Sequence, residues 1–197
     1  HEALFITAGM VDPAGIAGHL VGMENLMMGY MMEPEVARSW VDAMVPYSCA
    51  YAERLSEHAD NILIIGSASM DVNTVEMYGD LTERQLSRVL SSVSCFSTVH
   101  SCGRTLEVAD SLARIGADGL SLEASADPVA YLERVAGRCR MFGSVNPIRT
   151  ILMGTPDDVR SEARTYAGLG FDVITPECGV PPRSPDGNLY ALAHYRD

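Results

Sequence analysis

The sequence predicts an α/β chain of parallel β/α units, of the eightfold TIM-barrel type. Three observations point there. Six short segments are apolar and mostly unalternating, as strands buried on both faces are. Helical patterns separate them, and three times a helix passes through glycine or Ala-Asp punctuation into a strand, in "SEHADNILIIG", "RIGADGLSLE" and "GLGFDVITP". Polar residues gather where strands end: His100, Cys102, Glu123, Asn146, Glu177 and Cys178. A barrel brings such positions to one mouth, whereas an open sheet collects functional groups at a switch in strand order. No GxGxxG or GxxxxGK[ST] motif follows the first strand, and "GSAS" at 66–69 is too weak a phosphate loop to favour the open sheet.

The first strand is expected at residues 4–8, as a buried segment. Met-rich "MENLMMGYMM" at 23–32 reads as a core or interface helix rather than a methionine copper site, because it contains no cysteine or histidine. Pro34 suits the first turn of a long helix over "EVARSWVDAMVPYSCAYAERLSEHAD", which keeps helical apolar spacing despite Pro46. Strands follow at 61–66 and 95–100, then an apolar helical stripe of Leu106, Ala109, Leu112 and Ile115. Further strands are expected at 119–123, 140–145 and 171–175. Between the last two, Thr155 is a helix N-cap, with Pro156 behind it and the acidic pair Asp157 and Asp158 in the first turn.

At 197 residues and 47% apolar composition, the expectation is one domain over residues 1–197. The net charge is −12, and every basic side chain other than histidine is arginine. Such a surface repels phosphate backbones and anionic lipid, so neither nucleic acid nor membrane is an expected partner. The longest apolar runs are too short to cross a bilayer, and no signal peptide is expected from the opening residues. The absence of an initiator Met before "HEALFITAG" leads to the expectation of a processed or truncated product. Five widely spread cysteines do not read as a disulfide scaffold; they point to a reducing compartment, the cytoplasm, where thiols are free to bind metal.

In an extended strand His100 and Cys102 face the same side, because Ser101 alternates between them. Cys178 follows the last strand in "TPECGVPPR", where Pro176, Pro181 and Pro182 restrict the backbone. An imidazole and two thiolates suit Zn2+, with a fourth position left for a carboxylate, a water or a substrate sulfur. The competing reading treats the cysteines as small buried hydrophobes, and it is preferred for Cys49, Cys95 and Cys139. Glu123 is either a solvated strand terminus or a carboxylate that ligates the metal, orients His100 or takes a proton; Asp12 stands similarly as a candidate for binding a cofactor. Asn146 either hydrogen-bonds substrate in the reaction or caps its own backbone. Arg183 either meets a sulfonate or carboxylate or pairs with one of the 26 acidic residues.

Taken together, "VHSCG", "GADGLSLE", "MFGSVNPIRTILMGTPDDV" and "GFDVITPECGVPPRSPDGNLYAL" resemble the uroporphyrinogen decarboxylase superfamily. Within it they are most similar to the methylcorrinoid:coenzyme M methyltransferases of methanogenesis. The resemblance implies a TIM barrel of which this chain covers about the last six β/α units. It also implies a zinc site at His100, Cys102 and Cys178, with Glu123 as fourth ligand or as a supporting carboxylate. The implied reaction moves a methyl group from a methylcorrinoid, carried by a partner protein, to a small thiol. True uroporphyrinogen decarboxylases use no metal and rely on an Asp and arginines near the amino terminus, in a region this chain is expected to lack. Tetrapyrrole decarboxylation and a non-catalytic regulatory subunit are the alternative readings. Exposed strand edges lead further to the expectation of self-association or a complementing chain.

Overall fold

The computed structural model describes residues 4–123 and 127–197. They divide into two compact units, His1–Gly119 and Leu120–Asp197.

In the first unit, β1 (Thr7–Val11), β2 (Asn61–Ile65) and β3 (Phe96–Ser101) are parallel neighbours, with Thr7 opposite Asn61 and Ile65 opposite His100. Ile62, Ile64 and Val99 are wholly buried. Each such burial stabilises by about 1.5–3 kcal/mol. β1 starts later than its apolar opening predicts. Asp60 and Asn61 N–H groups donate to the Ile6 carbonyl, yet Leu4 and Phe5 remain 78% and 68% exposed. Backbone pairing therefore begins before any side chain is covered, which corrects the expectation of a buried strand at residues 4–8.

Three helices follow β1: α1 (Pro13–Val21), α2 (Met23–Met32) and α3 (Pro34–Ser56). Ala37, Val41, Val45, Ser48 and Ala52 form the buried stripe of α3. Pro46 lies on the exposed side of that helix. It removes a backbone donor at a cost of about 3 kcal/mol, and the buried stripe offsets it. Ala14 and Ala17 of α1, Leu26 and Tyr30 of α2, and Ala37 and Val41 of α3 share one core. The Met-rich segment is thus a core helix on one side, while Met28, Met31 and Met32 stand exposed on the other.

Between β2 and β3 the chain forms α4 (Val75–Tyr78), a π-helical turn (Gly79–Glu83) and α5 (Arg84–Leu90). Gly79 and Asp80 interrupt the apolar pattern, which hides this helical run from a periodicity reading. The stripe from Leu106 to Ile115 is shorter than its spacing predicts: a 3-10 turn (Leu106–Val108) leads into the single turn α6 (Ala109–Leu112). Ala109, Leu112 and Ile115 are nevertheless buried.

The second unit opens within β4 (Gly119–Leu122), whose four residues are all buried, and β5 (Arg140–Phe142) is the neighbour of β4. α7 (Pro128–Val135) is capped by Asp127. α8 (Pro156–Leu169) has the expected Thr155 cap, completed by Asp158 into a reciprocal capping box, and ends at Gly170 with φ 106°. α9 (Asp186–Ala193) closes the unit. Val145, Ile151 and Ala163 form a buried cluster in this unit, with Ile174, Leu192 and Tyr195 packed against them. The strand expected at 171–175 is present only as isolated parallel bridges, Phe142 with Val173 and Val145 with Pro176.

Candidate metal centre

β3 carries the first candidate ligand, His100, and the second, Cys102, directly follows its last residue. Ser101 is buried while His100 is part-buried and Cys102 exposed, so the strand alternates as its spacing requires. His100 Nε2 and Cys102 Sγ are 3.1 Å apart. Gly103 makes the turn that follows possible: its φ is +70°, and a Cβ there would lie 2.3 Å from Asp71 Oδ2. That carboxylate accepts from the Arg104 backbone N–H at 3.1 Å and from Ser69 Oγ at 3.0 Å, bonds that hold Asp71 below the usual carboxylate range. Gly103→Ala is expected to destabilise the protein by about 1–2 kcal/mol and to displace the Asp71 carboxylate. Urea denaturation would check it; unchanged stability would mean that the turn tolerates a side chain.

Cys102 helps to line a cavity of about 180 Å³, whose lining includes the apolar Met23, Met27 and Leu81 and the polar Ser67, Thr82 and Ser101. Asp12 meets this cavity through Ser67. It is buried and caps α1, with Oδ1 accepting from Gly15 N–H at 2.7 Å and from Ser67 Oγ at 2.8 Å, and Oδ2 accepting from Ser67 N–H at 2.9 Å. Burial is the largest influence on this carboxyl and raises it, against the pull of those bonds. The "GSAS" stretch, weak as a phosphate loop, thus supplies the partner of a helix cap and part of a cavity wall.

In the second unit, Asn146 Oδ1 accepts from the Ile148 and Arg149 N–H groups at 3.1 and 2.7 Å, which caps the π-helical turn Pro147–Leu152. Its amide nitrogen donates to Glu177 Oε1 at 2.5 Å. Of the two readings of Asn146, the structure bears directly on the cap to its own backbone. Glu177 is 1% exposed and also accepts from Ser144 Oγ at 3.1 Å. Sequence reasoning placed Glu177 at a strand end but gave it no role, although an acidic residue between Pro176 and Cys178 was the available signal. Cys178 follows it, part-buried. Arg183 is exposed, and among the described residues it enters no ion pair. Glu123 is part-buried directly after the last residue of β4.

Among the described residues no disulfide joins any of the five cysteines. Burial pushes the Cys139 thiol up to about 11, as suits a structural cysteine. His100 and Cys102 offer an imidazole nitrogen and a thiol sulfur in the first unit, and Cys178 offers a second sulfur in the second unit. One nitrogen and two sulfurs are the donors that tetrahedral zinc takes.

The family model described as Uroporphyrinogen decarboxylase (URO-D) matches residues 2–197. The methylcobamide:CoM methyltransferase MtaA of Methanosarcina barkeri is 27% identical over 195 residues, covering 98% of this chain and 58% of that protein. A methylated-thiol–coenzyme M methyltransferase of Methanosarcina mazei is 29% identical over 185 residues, covering 92% of this chain and 50% of that protein. Among solved structures, a methyltransferase from Methanosarcina mazei superposes with a TM-score of 0.92 at 28% identity, over 96% of this chain and 57% of that one. A B12-independent methionine synthase from Shewanella sp. W3-18-1 gives a TM-score of 0.70 at 18% identity, a likeness of fold alone. The chain therefore spans between half and three fifths of the length of these methyltransferases. The expectation of a partial barrel-type β/α fold is borne out by the family match and the superposition.

Proposed function

Because this chain belongs to the uroporphyrinogen decarboxylase family, we propose that it serves a zinc-dependent transfer of a methyl group from a methylated corrinoid protein to a small thiol such as coenzyme M. The observation that carries this reading is the His100–Cys102 pair, its Nε2 and Sγ 3.1 Å apart. That pair would hold the ion together with Cys178, and Glu123 would be its fourth ligand or a carboxylate that orients His100. Zinc when bound would supply Lewis acidity that keeps the acceptor thiol deprotonated at neutral pH.

The chain's own residues do the remaining work. Met23, Met27 and Leu81 give the thiol's short carbon chain an apolar lining, in a cavity that Ser67 and Thr82 also line. Asp12 holds Ser67 in place there. Asn146 contributes by fixing the segment that precedes Cys178. Arg183, exposed and outside any ion pair among the described residues, would meet the sulfonate or another anionic tail. Confinement of the thiol beside the methyl donor removes orientational entropy, an effect that reaches about 7–11 kcal/mol when alignment is good.

The corrinoid protein is the partner this reaction requires. Exposed Met31 and Met32 of α2 and Trp40 and Tyr47 of α3 support self-association or a complementing chain as well. No helix among the described residues is long and apolar enough to cross a membrane. Cysteines without a disulfide among the described residues accord with the proposed cytoplasmic location.

The test follows methylcobalamin as it loses its methyl group to coenzyme M in the presence of the zinc-loaded protein. Turnover that depends on zinc supports the proposal. If no small thiol is methylated from methylcobalamin or from a methylated corrinoid protein, a binding subunit becomes the better reading. Arg183→Ala is expected to raise the KM for coenzyme M about tenfold, the loss of a charge-assisted hydrogen bond, and to leave the KM for 2-mercaptoethanol unchanged. Equal losses for both thiols would remove Arg183 from the binding of the anionic tail.

A further inference from the structure

We propose that Glu177 is a positioning residue for Cys178, locking the segment that carries this thiol onto the chain beyond β5. The inference rests on the reading of Cys178 as a metal ligand. Its evidence lies within the second unit.

The backbone supplies half of the lock. Val145 N–H donates to the Thr175 carbonyl and Glu177 N–H to the Val145 carbonyl, each at 3.0 Å. The second of those bonds is made by Glu177, the residue before the thiol. The next stretch, Cys178–Gly179–Val180, lies outside any helix or strand, and Gly179 and Val180 are exposed. At this point the Glu177 side chain turns inward and accepts from Ser144 Oγ at 3.1 Å and from Asn146 Nδ2 at 2.5 Å. Both donors are themselves anchored: Ser144 is wholly buried, and the Asn146 oxygen is fixed by two backbone N–H groups of the turn Pro147–Leu152.

A carboxylate at 1% exposure is costly to bury unless its oxygens are hydrogen-bonded. A surface glutamate at this position would leave the turn free to swing. A buried one, held through both oxygens, fixes the direction in which the following Cα–Cβ bond leaves the backbone. Metal ligands need that kind of support, because an ill-held thiolate must be ordered each time the ion binds.

Cobalt(II) substitution provides the test on the whole chain, since thiolate-to-cobalt charge-transfer absorption scales with the number of thiolates bound. Glu177→Ala is expected to lower this absorption by about half, as for loss of one of two cysteine ligands, with native far-ultraviolet circular dichroism. Glu177→Gln is expected to restore it, because the amide oxygen accepts from Asn146 and the amide nitrogen donates to Ser144 Oγ. Should Glu177→Ala fail to fold, Ser144→Ala removes one of the two donors and is expected to give a smaller loss in the same direction. Full absorption in folded Glu177→Ala would overturn the proposal.

A parent protein with no charge-transfer band would instead count against the metal reading. The positioning of Cys178 is then read from its alkylation rate in metal-free protein, followed by mass spectrometry. That rate is expected to rise several-fold in Glu177→Ala, and an unchanged rate would refute the lock independently of any metal.

Discussion

Cys178→Ser is expected to abolish tight zinc binding and coenzyme M methylation while leaving the far-ultraviolet circular dichroism signal unchanged. Removing a group that merely supports a ligand costs about 10–100-fold in metal affinity or activity, and removing the ligand itself is expected to exceed that range. A hydroxyl in place of the thiolate is a poor donor for zinc at neutral pH. The fold is expected to persist because the buried apolar side chains of the second unit, Val145, Ile151 and Ala163 among them, are unchanged and Cys178 is only part-buried. Competition with a chromogenic chelator gives the affinity, and the methylcobalamin assay gives the activity. Undiminished methyl transfer by the serine variant would rule out the zinc mechanism.

Asp12→Ala is expected to be the most damaging single change to stability around the cavity, at about 2–5 kcal/mol. A helix cap contributes about 1–2 kcal/mol, and a buried donor left without its acceptor costs about 1–3 kcal/mol. Here the Gly15 and Ser67 N–H groups both lose their partner. Burial raises the Asp12 carboxyl above its ordinary value. A carboxyl raised by folding stabilises the protein at pH below its unfolded value, and that contribution fades as pH climbs through the higher folded value. The difference in stability between the parent and Asp12→Ala is therefore expected to be larger in mild acid than at neutral pH. Urea denaturation of both proteins across that range measures it, and a difference that grew toward neutral pH would contradict the burial of this carboxyl.

Much of the fold was legible because its signals are local. The β-branched run of β2 and β3, the long stripe of α3 and the Thr155 capping box each arise within a few residues, where side-chain period and backbone donors act directly. The π-helical turn between α4 and α5 was not legible, because Gly79 and Asp80 break the pattern and the helix is held by burial of Leu81 and Thr82. The strand expected at 171–175 shows the opposite limit. Its composition is right, yet strand formation needs a partner in register, and only isolated bridges form.

By itself, the sequence determined the β/α order, the pairing of His100 with Cys102 on one side of a strand, and the family to which the chain belongs. Periodicity of two and short motif spacing suffice for each of these. Only the tertiary structure decided what Asp12, Asn146 and Glu177 do: Asp12 ties α1 to Ser67, and Asn146 shares its amide between a helical turn and a buried carboxylate. Likewise it left Leu4 and Phe5 uncovered where composition alone would have buried them. The physical reason is common to all of these. A hydrogen bond between residues far apart in the chain, or the burial of an apolar side chain, depends on which surface the folded backbone brings opposite, and local spacing carries no record of that.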